Sequence, residues 1–512
     1  MRVIGDIARL GAKRYPDKKA IIMNDDYLTF KQLNQLSNQL ANGLLSLGVK
    51  KDDKVALLAY NCLEFVIVNY AVAKCGAVLV PINFRFKAEE LIHIIQNCEP
   101  KILFFGAEFA PLIEECKKEY DSSMKLASLN DAPSGEYSLR KLVDGRSTSN
   151  PPIEVDPNAP AAIMYTSGTT GFPKGVLSSH SALLNVNIGI IYGGDLRYND
   201  IALVPVPLFH NGGLNVLLQP TLEVGGTAVI MEKGFDPEKF LSFISRHNVT
   251  LTMCVPTQLA MIINNENPAK HKIPTLKKMY YGSSAISPEV LKSSMEFFNT
   301  GFYQWYGQSE AGIVSVLRPE DHIEHSQCTG REMFHADIRI VDLDGNDTPV
   351  GEIGEIISAQ QYLGMIGYHK MEEATNRAIQ DGWIHTEDLA RVEGEGFFTV
   401  VDRQRDMIIS GGENIYSKEI EDVIIRHPLV KEVAVFGVPD DLWGEAVCAA
   451  VVKQEKADLT EEDIIQFCAS HLSSYKKPKK VDFLDDLPKN ASGKVKKGSL
   501  REVYWKERKR RI

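Results

Sequence analysis

Tyr165-Thr166-Ser167-Gly168-Thr169-Thr170-Gly171-Phe172-Pro173-Lys174-Gly175 follows an apolar stretch, Ala161 to Met164, that reads as a buried strand. Four Ser/Thr hydroxyls and three glycines in one turn suit a loop that wraps phosphate oxygens. Glycine permits positive φ and close backbone approach. Hydroxyls and amides donate to an anion, and Lys174 adds a charge. The pattern is not a Walker A loop, because Phe172-Pro173 separates Gly171 from Lys174.

Upstream of this loop, helical and strand patterns alternate. Thr29-Phe30-Lys31-Gln32 predicts a capping box. Leu33, Leu36, Leu40, Leu44 and Leu47 then recur at helical spacing until Gly48 stops the run. Strands are expected at 55–59, 77–82 and 101–105, with helices at 64–75 and 88–97 between and after them. Such alternation implies a parallel sheet covered by helices. Residues 121–160 are rich in Ser, Pro, Asn and Asp and read as a surface connection. Alternation resumes from 161 to about 300. A more β-like stretch follows, with Asp342-Leu343-Asp344-Gly345 as a hairpin turn. Beyond 402 the pattern is compact α+β. The expected fold class is therefore α/β: a large N-terminal domain of stacked α/β sheets with a smaller β subdomain (1–401), then a C-terminal α+β domain (402–512).

The chain has 512 residues, 44% hydrophobic and 24% charged, which excludes a disordered chain. No run of 18 apolar residues reads as a transmembrane helix, and Asp6 and Arg9 interrupt any signal peptide. A net charge of −10 carries no global nucleic-acid signature. From Lys494 to Ile512 nine Lys or Arg stand against two Glu, a solvated basic tail or an attractor of polyanions. Eight cysteines without a C-x-x-C pair read as reduced thiols of a cytoplasmic protein.

Thr166 to Gly175 resembles the signature of the AMP-forming acyl-CoA synthetases, in the adenylate-forming superfamily. Further segments carry the same resemblance in family order: Pro207-Leu208-Phe209-His210, Tyr281-Gly282-Ser283-Ser284-Ala285, Tyr306-Gly307-Gln308-Ser309-Glu310, Trp383 to Asp388, Asp402 to Asp406, Gly411-Gly412-Glu413-Asn414 and Asn490-Ala491-Ser492-Gly493-Lys494. The segments run from Thr166 to Lys494, and the resemblance covers about residues 25–505.

The resemblance implies an enzyme that adenylates a carboxylate with ATP and Mg²⁺, then transfers the acyl group to coenzyme A. Thr166, Ser167, Gly168, Thr169, Thr170, Gly171 and Lys174 would hold the β- and γ-phosphates. Ser309 would contact the α-phosphate and Glu310 the Mg²⁺. Gly282, Ser283 and Ala285 would line adenine, with Tyr306 stacked on it beside Gly307 and Gln308. Asp388 and Arg403 would hold the ribose. Lys494 would bridge the carboxylate and α-phosphate during adenylation. His210 would serve the substrate tunnel or the thioester step. Asp402 would be the hinge of a mobile C-terminal domain, and Gly411, Gly412, Glu413 and Trp443 would line the coenzyme A tunnel. Acetate-activating relatives carry a Trp at the position of Gly307. Phe209, Gly212 and Gly307 therefore imply an acyl pocket that extends past the carboxylate.

Expected substrates are monocarboxylic acids, a medium or long fatty acid first. The alternatives are an aromatic acid of cinnamate or benzoate type, or adenylation for a separate carrier protein. The sequence leaves the oligomeric state open, a homodimer being one option, and no nucleic-acid partner is expected. Three positions depart from the family pattern: Ser309 for Thr, Glu387 for the usual Gly, and Ser417 for a frequent Pro.

Overall fold

The structure, a computed structural model, describes residues 2–119, 123–130, 136–166, 173–264, 273–284, 286–411, 413–455, 457–489 and 495–506. The chain forms two compact units: Met1–Ile338 with Ile357–Thr386, and Arg339–Ile356 with Glu387–Ile512.

The first unit holds two largely parallel sheets. In one, the strands Lys54–Leu58, Val78–Ile82, Ile102–Phe105 and Lys125–Ser128 are parallel neighbours. Pro160–Thr166 joins parallel to Val78–Ile82, and Lys174–Ser179 returns antiparallel. In the other, Thr227–Ile230, Ile201–Val204, Leu251–Cys254, Lys278–Gly282 and Gly301–Gln308 run parallel in that spatial order. Gly312–Leu317 folds back antiparallel on Gly301–Gln308. These strands are buried on both faces, which explains their near-continuous apolar runs.

The helix Phe30–Ser46 starts on the expected box: Gln32 N–H donates to Thr29 Oγ1, and Gln32 Oε1 accepts from Thr29 N. Its Phe30, Leu33, Leu40 and Leu44 are fully buried, each contributing up to about 1.5–3 kcal/mol. Gly76 closes the helix Leu63–Cys75 in the left-handed region at φ +67°. The stretch 121–160 is more than a connection. It contains the parallel strand Lys125–Ser128 and the helix Leu139–Val143. Its polar composition concealed a strand whose partner, Ile102–Phe105, supplies the pairing.

The second unit begins earlier than 402 and includes residues 339–356. Backbone bonds from Gly351 N to Val392 O (2.8 Å) and from Val392 N to Glu352 O (3.1 Å) tie the two stretches together. Its C-terminal part is the expected α+β pattern: helices Ser417–Ile424 and Glu461–His471, and strands Val430–Asp440, Gly444–Lys453 and Lys480–Phe483. All eight cysteines are free. No described helix is long and apolar enough to cross a membrane.

Candidate active site

In the first unit the candidate residues lie where parallel strands end, the usual ligand position in open α/β sheets. Segment 205–213 follows the strand Ile201–Val204. Phe209 meets Phe84 edge-on at 5.1 Å, and Phe84 meets Tyr60 at 4.8 Å, so the ends of the two sheets share a cluster of rings. Asn61 pins the segment: its Oδ1 accepts from Leu208 N (2.8 Å), and its Nδ2 donates to Val206 O and Met231 O. A Cβ on Gly213 would stand 2.3 Å from Pro207 O, so the turn requires glycine there. Gly212 faces His210 and Met253 at ordinary contact distance.

His210 is exposed, and its Nδ1 accepts from Gly212 N–H at 3.2 Å. In the neutral ring, acceptance at Nδ1 leaves the proton on Nε2.

Thr166 and Lys174 face each other at the mouth of the phosphate hairpin, and Thr166 Oγ1 donates to Lys174 O at 3.5 Å. Ser167, Gly168, Thr169, Thr170 and Gly171 lie outside the described residues, as do Ala285, Gly412 and Lys494. The Lys174 ammonium sits 5.0 Å above the ring of Tyr368, whose hydroxyl donates to Glu310 Oε1 at 2.9 Å. Tyr368 thus draws the phosphate hairpin and the candidate metal carboxylate together. The stretch 365–369 secures this, with Met365 N donating to Glu310 O (2.7 Å) and His369 N to Gly175 O (2.8 Å). A single carboxylate such as Glu310, with phosphate oxygens and water completing the set, is compatible with Mg²⁺.

Ser309 Oγ accepts from Asn211 Nδ2 at 3.0 Å, which couples the aromatic-His segment to Tyr306–Glu310. Gln308 Nε2 donates to Thr386 O at 2.9 Å. Gly282 must be glycine, since a Cβ would meet Trp305 O at 2.3 Å, and Ser283 takes a left-handed φ of +70° with its side chain exposed.

Gly307 corrects an expectation. A Cβ there would fall 2.1 Å from Gly312 O and 2.6 Å from Ile313 Cα. The missing side chain makes room for the neighbouring strand, at a bulge between Tyr306 and Gly307, and does not by itself open a pocket.

In the second unit, Asp388 and Arg403 are cross-strand partners, with Nε 3.2 Å from Oδ1. Asp388 is buried and Arg403 partly exposed, so the pair is set at a surface. Asp402 is buried. Its Oδ2 accepts from Ser417 N (2.5 Å) and Ser417 Oγ (2.8 Å), at the start of the helix Ser417–Ile424. Lys497 Nζ donates to Ser417 Oγ and pairs with Glu421, each at 2.7 Å. Burial pushes the Lys497 pKa down, but Glu421, Asp402 and Asp406 outweigh it and hold the ammonium above its ordinary range. Gly411, at φ +61°, packs under the partly exposed Trp443 and donates from N to Trp443 O at 2.8 Å. Glu413 is exposed on a short strand beside them. The indole is therefore a surface ring, with Lys479 Nζ 5.3 Å from it.

Asn61, Asn211 and Tyr368 escaped the sequence reading. Neither Asn61 nor Tyr368 stands in a recognisable motif, and only the neighbourhood of His210 hinted at Asn211.

Residues 9–369 match the AMP-binding enzyme family, and residues 419–494 match the AMP-binding enzyme C-terminal domain. The chain belongs to the AMP-binding enzyme family. Within it, the enzyme groups with the AMP-forming acid–CoA ligases. It is 34% identical to the long-chain-fatty-acid–CoA ligase FadD13 of Mycobacterium tuberculosis, over 98% of this chain and 99% of that one. It is equally identical, 34%, to a feruloyl-CoA synthase of Amycolatopsis sp, over 96% and 97%. It is 32% identical to the fatty acid–[acyl-carrier-protein] ligase ScoC of Streptomyces coeruleorubidus, over 98% and 96%. Among solved structures it resembles the anthranilate CoA ligase AuaEII in complex with anthranoyl-AMP, with a TM-score of 0.90 and 26% identity over 98% and 97% of the two chains.

Proposed function

We propose that the enzyme adenylates a monocarboxylic acid with ATP and passes the acyl group to coenzyme A. In the first step a carboxylate oxygen attacks the α-phosphorus, the α–β bridging P–O bond breaks, and pyrophosphate leaves. In the second, a thiolate attacks the acyl carbon and AMP leaves. Positioning and charge neutralisation dominate such transfers. Lys174 and the hydroxyls around it neutralise the leaving pyrophosphate, and Ser309 orients the α-phosphate. Glu310 would hold Mg²⁺, which supplies charge neutralisation at the phosphates when bound. Asp388 and Arg403 fix the ribose, and Lys494 brings its charge to the point where carboxylate and phosphate meet. In the thioester step Gly411, Gly412, Glu413 and Trp443 guide the pantetheine arm.

The observation that carries this reading is the Lys174–Tyr368–Glu310 arrangement, which brings an ammonium and a carboxylate to one tyrosine, as a phosphate and its Mg²⁺ would require. The acid proposed is a medium or long fatty acid, because no Lys or Arg occurs in segments 207–214 and 306–313 to pair a second carboxylate. The ring cluster of Tyr60, Phe84 and Phe209 favours an aromatic acid as the second reading.

Acid-dependent ATP–pyrophosphate exchange tests the first step, over a panel of fatty, cinnamate-type and dicarboxylic acids. Thioester formation is then read with coenzyme A and with a carrier protein as separate acceptors. Exchange with no acid in the panel overturns the reading. Preference for acetate or a dicarboxylate overturns the substrate class, and acylation of the carrier alone overturns the acceptor.

A further inference from the structure

Three side-chain amides run inward from Ser309. Asn211 Nδ2 donates to Ser309 Oγ at 3.0 Å, Asn215 Nδ2 to Asn211 Oδ1 at 2.6 Å, and Gln219 Nε2 to Asn215 Oδ1 at 2.9 Å. They flank and occupy Gly212–Leu218, a stretch wound with i→i+5 bonds, a rare form that is frequent at functional sites. Every donor points toward Ser309. At the far end Gln219 Oε1 is buried without a hydrogen-bond partner among the described residues, and so is Asn69 Nδ2. One is an acceptor and the other a donor, and both residues line the same cavity, of about 10 Å³. That is about the room one water centre needs.

We propose that Asn211, Asn215 and Gln219 are positioning residues that keep the Ser309 hydroxyl proton pointed at the substrate, and that one buried water closes their inner end. The water accepts from Asn69 Nδ2 and donates to Gln219 Oε1, so the direction of donation is continuous from Asn69 to Ser309. An oxygen that already accepts from Asn211 directs its own proton elsewhere, here to an α-phosphate oxygen. Aligned donors also polarise one another in a low-dielectric interior. Asn69, Asn215 and Gln219 are at most 4% exposed, so bulk water does not compete with the chain. The inference rests on the proposed role of Ser309.

The test is ATP–pyrophosphate exchange in Asn215→Leu, Ser309→Ala and the double variant, with Gln219→Met as a second break in the chain should Asn215→Leu fail to fold. Each break is expected to lower kcat about tenfold, the worth of a hydrogen bond to a charged group, with the KM for the acid nearly unchanged. In the Ser309→Ala background the same break should cost nothing more. An equal loss in both backgrounds reduces the amides to packing and overturns the proposal. Wild-type exchange in Ser309→Ala removes the role of Ser309 and the chain's purpose with it, while the ligase reading stands. No exchange in the wild type fails the ligase reading instead. A high-resolution crystal structure should show one water bonded to both Asn69 and Gln219; a dry cavity overturns the bridge.

Discussion

Glu387 stands beside the ribose-binding candidate Asp388 with φ at +57°, a region that L side chains enter at a cost. The usual glycine at this place in the family has a physical reason, and here the conformation is kept without it. Glu387 N donates to Glu355 Oε1, and its carbonyl accepts from Gln404 N, both within the second unit. Glu387→Gly should relieve about 1–2 kcal/mol of strain and lose about 0.5–1 kcal/mol to the freer unfolded chain. A stability gain of up to about 1.5 kcal/mol in urea unfolding is therefore expected; a loss would show that the side chain compensates locally. Lys494 is the other decisive residue. In the proposed mechanism its charge acts where two anions meet, so Lys494→Ala should abolish acid-dependent exchange while a supplied acyl-adenylate still acylates coenzyme A. Equal loss of both half-reactions would sink that role. At this scale, Glu310 and Asp388 could be singled out from the sequence because each stands in a short contiguous motif, Tyr306–Glu310 and Trp383–Asp388. Asn61 and Asn211 could not: their partners lie 147 and 98 residues away.

The helix Ser417–Ile424 shows how an element is anchored by a residue that looked like a hinge alone. Asp402 receives the Ser417 N–H and hydroxyl, while Ser417 Oγ also accepts from Lys497. Proline, frequent at this place in the family, has neither the N–H nor the hydroxyl. Ser417→Pro should therefore destabilise the second unit by about 1–3 kcal/mol, the penalty for leaving a buried acceptor short of donors. Ser417→Ala, which keeps the N–H, should cost less. Denaturant unfolding followed at Trp443 or Trp505 checks the order; a neutral proline would mean that its preset φ offsets the lost bonds. Elements with strong local signals were legible. The Thr29 cap, the Gly76 stop and the helix 88–97 all stand within a residue or so of expectation. The strand Lys125–Ser128 was not, because pairing rather than composition makes it a strand. Gly307 was misread for a related reason: the sequence gives its lack of a Cβ, but only the hairpin shows what fills that space.

For the whole molecule, the parallel sheets of the first unit followed from alternation, and the α+β part of the second from the change of pattern beyond 402. The transfer of residues 339–356 to the second unit did not, since it depends on bonds such as Gly351 to Val392. The first unit also buries a charge that the proposed chemistry does not use. Lys74 is 8% exposed, and its Nζ donates to Asn34 Oδ1 at 2.5 Å and Asn38 Oδ1 at 2.6 Å, between helices. Burial, with Arg9 adding to it and Asp6 opposing, pushes its pKa down to about 7. In the unfolded chain the group keeps its proton to about pH 10. Above pH 7 the unfolded state therefore binds more protons than the native state, and stability rises with pH until the unfolded lysine also titrates. Buried thiols such as Cys75, pushed up to about 12, act in the opposite direction once unfolded cysteines ionise. A comparison with Lys74→Met cancels their contribution. From pH 7 to 9 the stability of the wild type relative to Lys74→Met should climb, with a slope approaching about 1.4 kcal/mol per pH unit for one proton. A flat difference would mean that the two asparagine oxygens hold the ammonium charged throughout, and that folding places a full positive charge inside the helical layer.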